Sequence, residues 1–327
     1  MKREEKREEK REEKREEKRE MIREIGAPAI NGRAFWRAAL LPYIGVLIAL
    51  SACRSASPRV GGPESPVASA AGEAVTLRVM TYNIAAGTGG GAGGDTTGLL
   101  RIASTIRAAN PDIVALQEVD VHWSARSGFA DQAASLAKSL GMEVRFAPIY
   151  HNANETGGPA KEYGVALLSR FPVTAFRNHN LTRLSTQQAG APPAPAPGLL
   201  DATVRVRDAS VRVLNTHLDY RADPAVRVTQ IREMLAVIGN AGTPTLVFGD
   251  MNATPDAAEM QPLFRVLKDA WSDGAGQGFS YRAKAPTKRI DYVLLSSQFR
   301  AVSARTIDTD ASDHRPVVAD LTLSRHP

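Results

Sequence analysis

Nine short runs rich in Val, Leu and Ile constrain what residues 75–327 of this chain can become: 77–83, 113–117, 143–147, 164–169, 200–206, 211–217, 245–248, 290–295 and 316–323. Runs of this length and composition read as strands. Between them, 97–109, 130–140 and 224–238 read as helices. In the last of these, Val228, Ile231, Leu235 and Ile238 recur at helical spacing. Asp223 followed by Pro224 predicts an N-cap and the first helical position. Many strands with few helices predict an α/β domain of stacked sheets with helices outside.

The ends of these runs hold the polar groups. Asn83 closes the first run, Glu118 follows the second, His217 closes another, and Asp250 and Asn252 follow a fourth. Asp291 sits at the start of a fifth run, and Asp313 and His314 precede a sixth. If the last two strands run antiparallel to the other four, all eight side chains meet on one edge, where α/β sheets place their pockets. Carboxylates and amides without a thiol suit Mg²⁺ or Mn²⁺ better than zinc. Two histidines remain for proton transfer or phosphate binding. Asp250 and Asn252 are two apart, so an extended chain projects both to the same side.

The motifs Thr81-Tyr82-Asn83-Ile84, Leu116-Gln117-Glu118-Val119-Asp120, Gly164-Val165-Ala166-Leu167-Leu168-Ser169-Arg170, Asn215-Thr216-His217-Leu218-Asp219, Gly249-Asp250-Met251-Asn252, Arg289-Ile290-Asp291-Tyr292 and Ser312-Asp313-His314-Arg315-Pro316 resemble the endonuclease/exonuclease/phosphatase superfamily. They occur in that family's order and span essentially the whole domain. The resemblance implies a four-layer αββα sandwich of two mixed β-sheets. It also implies divalent-metal phosphoester hydrolysis, with Mg²⁺ or alternatively Mn²⁺. By the same resemblance Glu118 is the main metal ligand, Asn83 lies beside it, and Asp313 supports the metal. Asp250 orients or deprotonates the attacking water, and Asn252 holds a phosphate oxygen. His314 stands at the phosphate, Asp291 orients it, and His217 stabilises the phosphate or assists the leaving group. One region departs from the family pattern: Gly190-Ala191-Pro192-Pro193-Ala194-Pro195-Ala196-Pro197 stands where small bacterial members often carry an arginine, and Arg183 is only a loose substitute.

Upstream of the domain, residues 1–20 repeat Lys-Arg-Glu-Glu. Such a run cannot bury a core, and translation is expected to begin at Met21. Residues 21–53 read as a signal peptide, with Arg23, Arg33 and Arg37 before the apolar stretch 38–52. The segment ends Leu50-Ser51-Ala52-Cys53, which resembles a bacterial lipobox, and Cys53 is the only cysteine. A lipidated Cys53 and membrane attachment at the cell envelope are therefore expected, with 54–74 as a flexible tether rich in Ser, Ala, Pro and Gly. One cysteine excludes a disulfide framework.

Lys and Arg number 41 and Asp and Glu 35. Ten basic and nine acidic side chains lie in 1–20, and three and one in 21–53, so the remainder is near net +3. That balance does not by itself call for a nucleic-acid partner. The expected partner is a phosphoester, either nucleic acid or a lipid or sugar phosphate. Aromatic residues are only 6%, which together with the charge balance and the tether favours a phospholipid or sugar-phosphate diesterase over a nuclease. A non-catalytic surface lipoprotein that binds phosphorylated ligands is the rival reading. The chain is expected to act as a monomer.

Several residues carry blander expectations. His122 and Trp123 line either a substrate cleft or a surface loop, and Tyr163 packs on its strand. Arg221 and Arg227 occupy solvated faces at a helix start. His151, His179 and His326 are exposed, and 87–94 is a flexible rim.

Overall fold

A computed structural model describes residues 74–324 apart from 90–96, 156, 240–241 and 275. The expectations for the charged extension, signal segment, Cys53 and tether lie outside the described residues, as do those for His326 and most of the 87–94 rim. Twelve strands are described: β1 Val75–Asn83, β2 Ile113–Val121, β3 Glu143–Asn152, β4 Lys161–Ser169, β5 Val173–Arg183, β6 Ala194–Val206, β7 Ala209–His217, β8 Thr245–Asp250, β9 Lys268–Asp269, β10 Asp291–Leu295, β11 Phe299–Thr306 and β12 Val317–Leu323. The main helices are α1 Thr97–Ala109, α2 Gln132–Leu140 and α3 Ala225–Ile238, and a short α4 spans Gln261–Phe264.

The strands form two six-stranded mixed sheets, ordered β11-β12-β1-β2-β4-β3 and β5-β6-β7-β8-β10-β9. Alternation along each strand makes three apolar layers. In β1, Leu77 and Val79 face the core between the sheets, where they join Phe248 and Val293 of the second sheet. Met80 and Tyr82 face outward and are covered by Ile102 and Ile106 of α1 and Leu136 of α2. The second sheet turns Val247 and Leu294 the other way, under Ile231 and Met234 of α3. The result is helix, sheet, sheet, helix. Burial on both faces explains why these strands read as continuous apolar runs.

The strand directions meet the condition set by the sequence. β1 runs parallel to β2 and antiparallel to β12. β7 runs parallel to β8, which pairs antiparallel with β10. The ends of β1, β2, β7 and β8 therefore share one edge with the starts of β10 and β12.

Three strands escape the sequence pattern: β5, β11 and the two-residue β9. β5 and β11 are outermost in their sheets, and β5 exposes much of its length, so neither shows a long apolar run. The Pro-rich stretch is also partly strand. β6 begins at Ala194, and its Pro195 and Pro197 pair with β5 alone, because pairing with β7 starts only at Leu199. A proline lacking its N–H is tolerated where a strand has one neighbour.

The expected apolar face of α3 shifts as well. Val228 is exposed, and Arg227 is buried, with Gln230, beside Ile231 and Met234. Arg227 is held by Glu259 Oε1 at 2.9 Å rather than by water. Pro224, not Asp223, precedes the first helical residue, although Asp223 Oδ1 still accepts from the Ala225 N–H at 3.0 Å.

Candidate active site

At the shared edge lies a cavity of about 570 Å³. Six of the eight side chains read from the sequence line it: Glu118, His217, Asp250, Asn252, Asp313 and His314. Asn83 and Asp291 stand immediately behind, buried. Each is positioned by a local device of its strand.

Glu118 owes its direction to a bulge. Between the pairs Leu116↔Ala166 and Val119↔Gly164, β2 has one residue more than β4. Glu118 takes φ 55° there, and an extra residue of this kind re-aims a side chain. Gln117 is left pointing inward, fully buried, where its Nε2 donates to Asn215 Oδ1 at 2.7 Å. Asn215 in turn donates to the carbonyls of Leu116 and Ala166, both at 2.9 Å. This polar tie joins the two sheets directly behind the site.

Asn83 makes a second tie. Its Nδ2 donates to Glu118 Oε1 at 2.9 Å and to Asp250 Oδ2 at 3.0 Å. Its Oδ1 accepts from the Ala85 N–H at 3.1 Å. In this arrangement Asn83 braces two carboxylates, and metal ligation through Oδ1 requires the amide to turn over. Asp250 and Asn252 meet through a turn, which corrects the extended-chain expectation. Asn252 adopts φ 50°, its N–H donates to Asp250 Oδ1 at 2.9 Å, and its Nδ2 donates to the Leu218 carbonyl at 3.0 Å.

His314 is the electrostatic centre. Its Nδ1 lies 2.9 Å from Asp291 Oδ2 and its Nε2 lies 3.6 Å from Asp250 Oδ2. Burial opposes the imidazolium, yet Asp291 and Asp250 outweigh it and raise the His314 pKa to about 10. Burial, with Asp291 alongside, pushes the Asp250 carboxyl above the usual carboxylate range. His217 approaches the same Asp250 oxygen, Nε2 to Oδ2 at 3.6 Å. The Tyr281 ring packs on His314 with centroids 4.7 Å apart.

Oxygen donors for a divalent cation are present. Asp250, Asp291 and His314 bring ligand atoms within 4.8 Å of one another, but His314 Nδ1 is already engaged by Asp291. Glu118 and Asp313 both line the cavity. A hard cation of the Mg²⁺ kind suits such carboxylates, whereas in the buried Asp–His–Asp line His314 Nδ1 already engages Asp291 Oδ2, and Asp291 Oδ1 has no hydrogen-bond partner.

Several lining residues were not legible as site residues. Tyr281 and Lys288 sit in a loop without apolar periodicity. Arg183 is half-buried, and its desolvation lowers its pKa to about 10. It donates to the carbonyls of Pro197, Gly198 and His217 at 2.9–3.0 Å, so it fixes the ends of β6 and β7. Trp123 and Tyr163 line the cavity, which resolves the open reading of Trp123, while Tyr163 also packs against the core between the sheets as expected. Arg221 also lines the cavity, ion-paired with Asp219. His151 is exposed, whereas His179 is largely covered and lies 3.0 Å from Asp201 Oδ2.

The sequence pattern of the Endonuclease/Exonuclease/phosphatase family matches residues 80–314. No curated protein matches the chain. Among solved structures, one similar to it is the endonuclease/exonuclease/phosphatase from Beutenbergia cavernae, at 27% identity and TM-score 0.62, covering 76% of this chain and 72% of that one. Another is the mannosyl-6-phosphatase of Bacteroides thetaiotaomicron, at 16% identity and TM-score 0.55, covering 75% and 99%. A third is the human Nocturnin catalytic domain with bound sulfate, at 20% identity and TM-score 0.56, covering 76% and 94%. The last two likenesses are of fold.

Proposed function

The chain belongs to the endonuclease/exonuclease/phosphatase family, whose members hydrolyse phosphoester bonds, and from that premise we propose that it is a divalent-metal-dependent phosphodiester hydrolase. The observation that supports this most is Asp250. It is a buried carboxylate that Asn83 ties to Glu118, and both His217 and His314 lie 3.6 Å from its Oδ2.

Glu118 and Asp313, which both line the cavity, would hold Mg²⁺ or Mn²⁺, which when bound polarises a phosphoryl oxygen and offsets developing negative charge. Asp250 orients the attacking water and accepts its proton, a role helped by a carboxyl held above its ordinary range. His314, kept cationic by Asp291, donates from Nε2 to a phosphate oxygen. Asn252 and His217 supply further donors to the phosphate or the leaving group. These donors are fixed before substrate arrives, so little reorganisation accompanies the reaction. The substrate range narrows toward lipid or sugar phosphodiesters rather than long nucleic acids, because the cavity lining matches four carboxylates with four Lys/Arg side chains and lacks the basic stripe of a nucleic-acid groove. The enzyme is tethered to the cell envelope through a lipidated Cys53 and acts as a monomer.

Turnover of bis-p-nitrophenyl phosphate with Mg²⁺ or Mn²⁺ tests the reading. Glu118→Gln and His314→Ala are expected to lower kcat by at least about 10²-fold, the scale of losing one charge-stabilising group, with the fold intact by circular dichroism. Unchanged rates in both variants, or metal binding by the wild type without any hydrolysis, would contradict it.

A further inference from the structure

Trp123, Tyr150 and Tyr163 form one wall of the cavity. Their ring centroids stand 5.9–6.1 Å apart, with Tyr150 nearly parallel to both Trp123 and Tyr163. None of the hydrolytic steps above uses them. Their placement is built by the strands: Tyr150 and Tyr163 are direct partners across β3 and β4, and Trp123 lies two residues beyond the end of β2. The Tyr150 hydroxyl accepts from the Thr186 N–H at 2.8 Å and sits 3.0 Å from Thr186 Oγ1, which pins that ring. The Arg126 guanidinium lies 5.5 Å from the Tyr163 ring centre and is itself anchored by Asp120. Two of the three rings, Tyr150 and Tyr163, are therefore held in place before any ligand arrives.

An aromatic wall beside a phosphate-binding centre selects for a flat face. Two further features limit what that face belongs to. The volume of about 570 Å³ is that of a small-molecule site. The Lys and Arg side chains of the lining are matched by its carboxylates, and the further cation His314 is paired with Asp291 behind it, which leaves no stripe of cations to track a polyanion. The geometry points to a ring-binding subsite: the phosphoester substrate carries a nucleobase or sugar ring that packs on Trp123, Tyr150 and Tyr163 within the same cavity as Asp250 and His314. This rests on the hydrolase reading and extends it to substrate class.

Three ethyl phosphodiesters test it: ethyl thymidine-5′-phosphate, ethyl glucose-6-phosphate and diethyl phosphate, with products followed by ³¹P NMR. The wild type should favour at least one ring ester over diethyl phosphate by tenfold or more in kcat/KM, in line with stacking worth about 1–3 kcal/mol, or roughly 5- to 150-fold. The favoured ring tells nucleobase from sugar. Trp123→Ala should collapse that ratio toward one, and Trp123→Phe, which keeps a ring, should retain most of it. Thermal melting verifies that both variants fold. Turnover with no ring preference, or a preference that survives Trp123→Ala, overturns the subsite and leaves the hydrolase reading standing. No turnover of these esters or of bis-p-nitrophenyl phosphate with either metal overturns both.

Discussion

The pairing of His314 with Asp291 decides what the histidine does. With its pKa raised to about 10, against about 6.5 for a free imidazole, His314 is a cation throughout the neutral range and acts as a donor, not as a base. The same shift makes a stability prediction for the metal-free protein. A folded-state pKa above the unfolded value contributes stability that is fully present below about pH 6.5 and lost as pH rises through about 10. The stability margin of wild type over Asp291→Asn, measured by urea unfolding in EDTA, should therefore be larger at pH 6.5 than at pH 10.5. An equal margin at both pH values would contradict the charged pair. At this scale the sequence was most informative. The eight polar residues were legible because each interrupts or borders an apolar run, and a carboxylate or imidazole at such a position has no packing reason to be there. Trp123 was legible only as a choice between cleft and surface loop, and Tyr150 and Tyr281 were not legible, since an aromatic residue carries no chemical signal of its own.

The bulge in β2 and the inter-sheet tie behind it are what turn six strand ends into a site. Asn215→Leu keeps the approximate volume but removes the side-chain donor to the buried Leu116 and Ala166 carbonyls, while the Gln117 amide still donates to Thr81 Oγ1 at 3.1 Å. Each such carbonyl costs about 1–3 kcal/mol, so a total loss of about 2 kcal/mol or more is expected in chemical denaturation, and a change below about 0.5 kcal/mol would refute the tie. Gly164→Ala tests the neighbouring strand. A Cβ there would stand 2.2 Å from the Ala147 carbonyl oxygen, prising β3 from β4, and overpacking of this kind costs about 1–3 kcal/mol. The same melts check it. Strand existence was legible in the two-sided interior, where burial on both faces demands a continuous apolar run. It failed at three of the four outermost strands, β5, β9 and β11, and at the start of β6, which hides behind prolines that a one-sided pairing tolerates. Nothing in the local pattern announces a bulge, so the direction of Glu118 came from its place after a run and not from its geometry.

For the whole molecule, two sheets packed face to face bring residues as far apart as Asn83 and Asp250 into hydrogen-bonding contact. The rim they share is thus a property of the sandwich and not of any single strand. Attachment of this body to an envelope is a separate proposal, and Cys53→Ser tests it: palmitate labelling should vanish and activity should move from the membrane to the soluble fraction with kcat unchanged. Persisting label would refute the lipid site while leaving the chemistry untouched. The most direct measurement for the central claim is the anomalous scattering of crystals soaked in Mn²⁺. One peak at about 2.1 Å from a Glu118 carboxylate oxygen, the ordinary octahedral metal–oxygen distance, and inside the cavity shared with Asp250 and His314, is the expected result; a cation bound elsewhere, or none at that carboxylate, would contradict it.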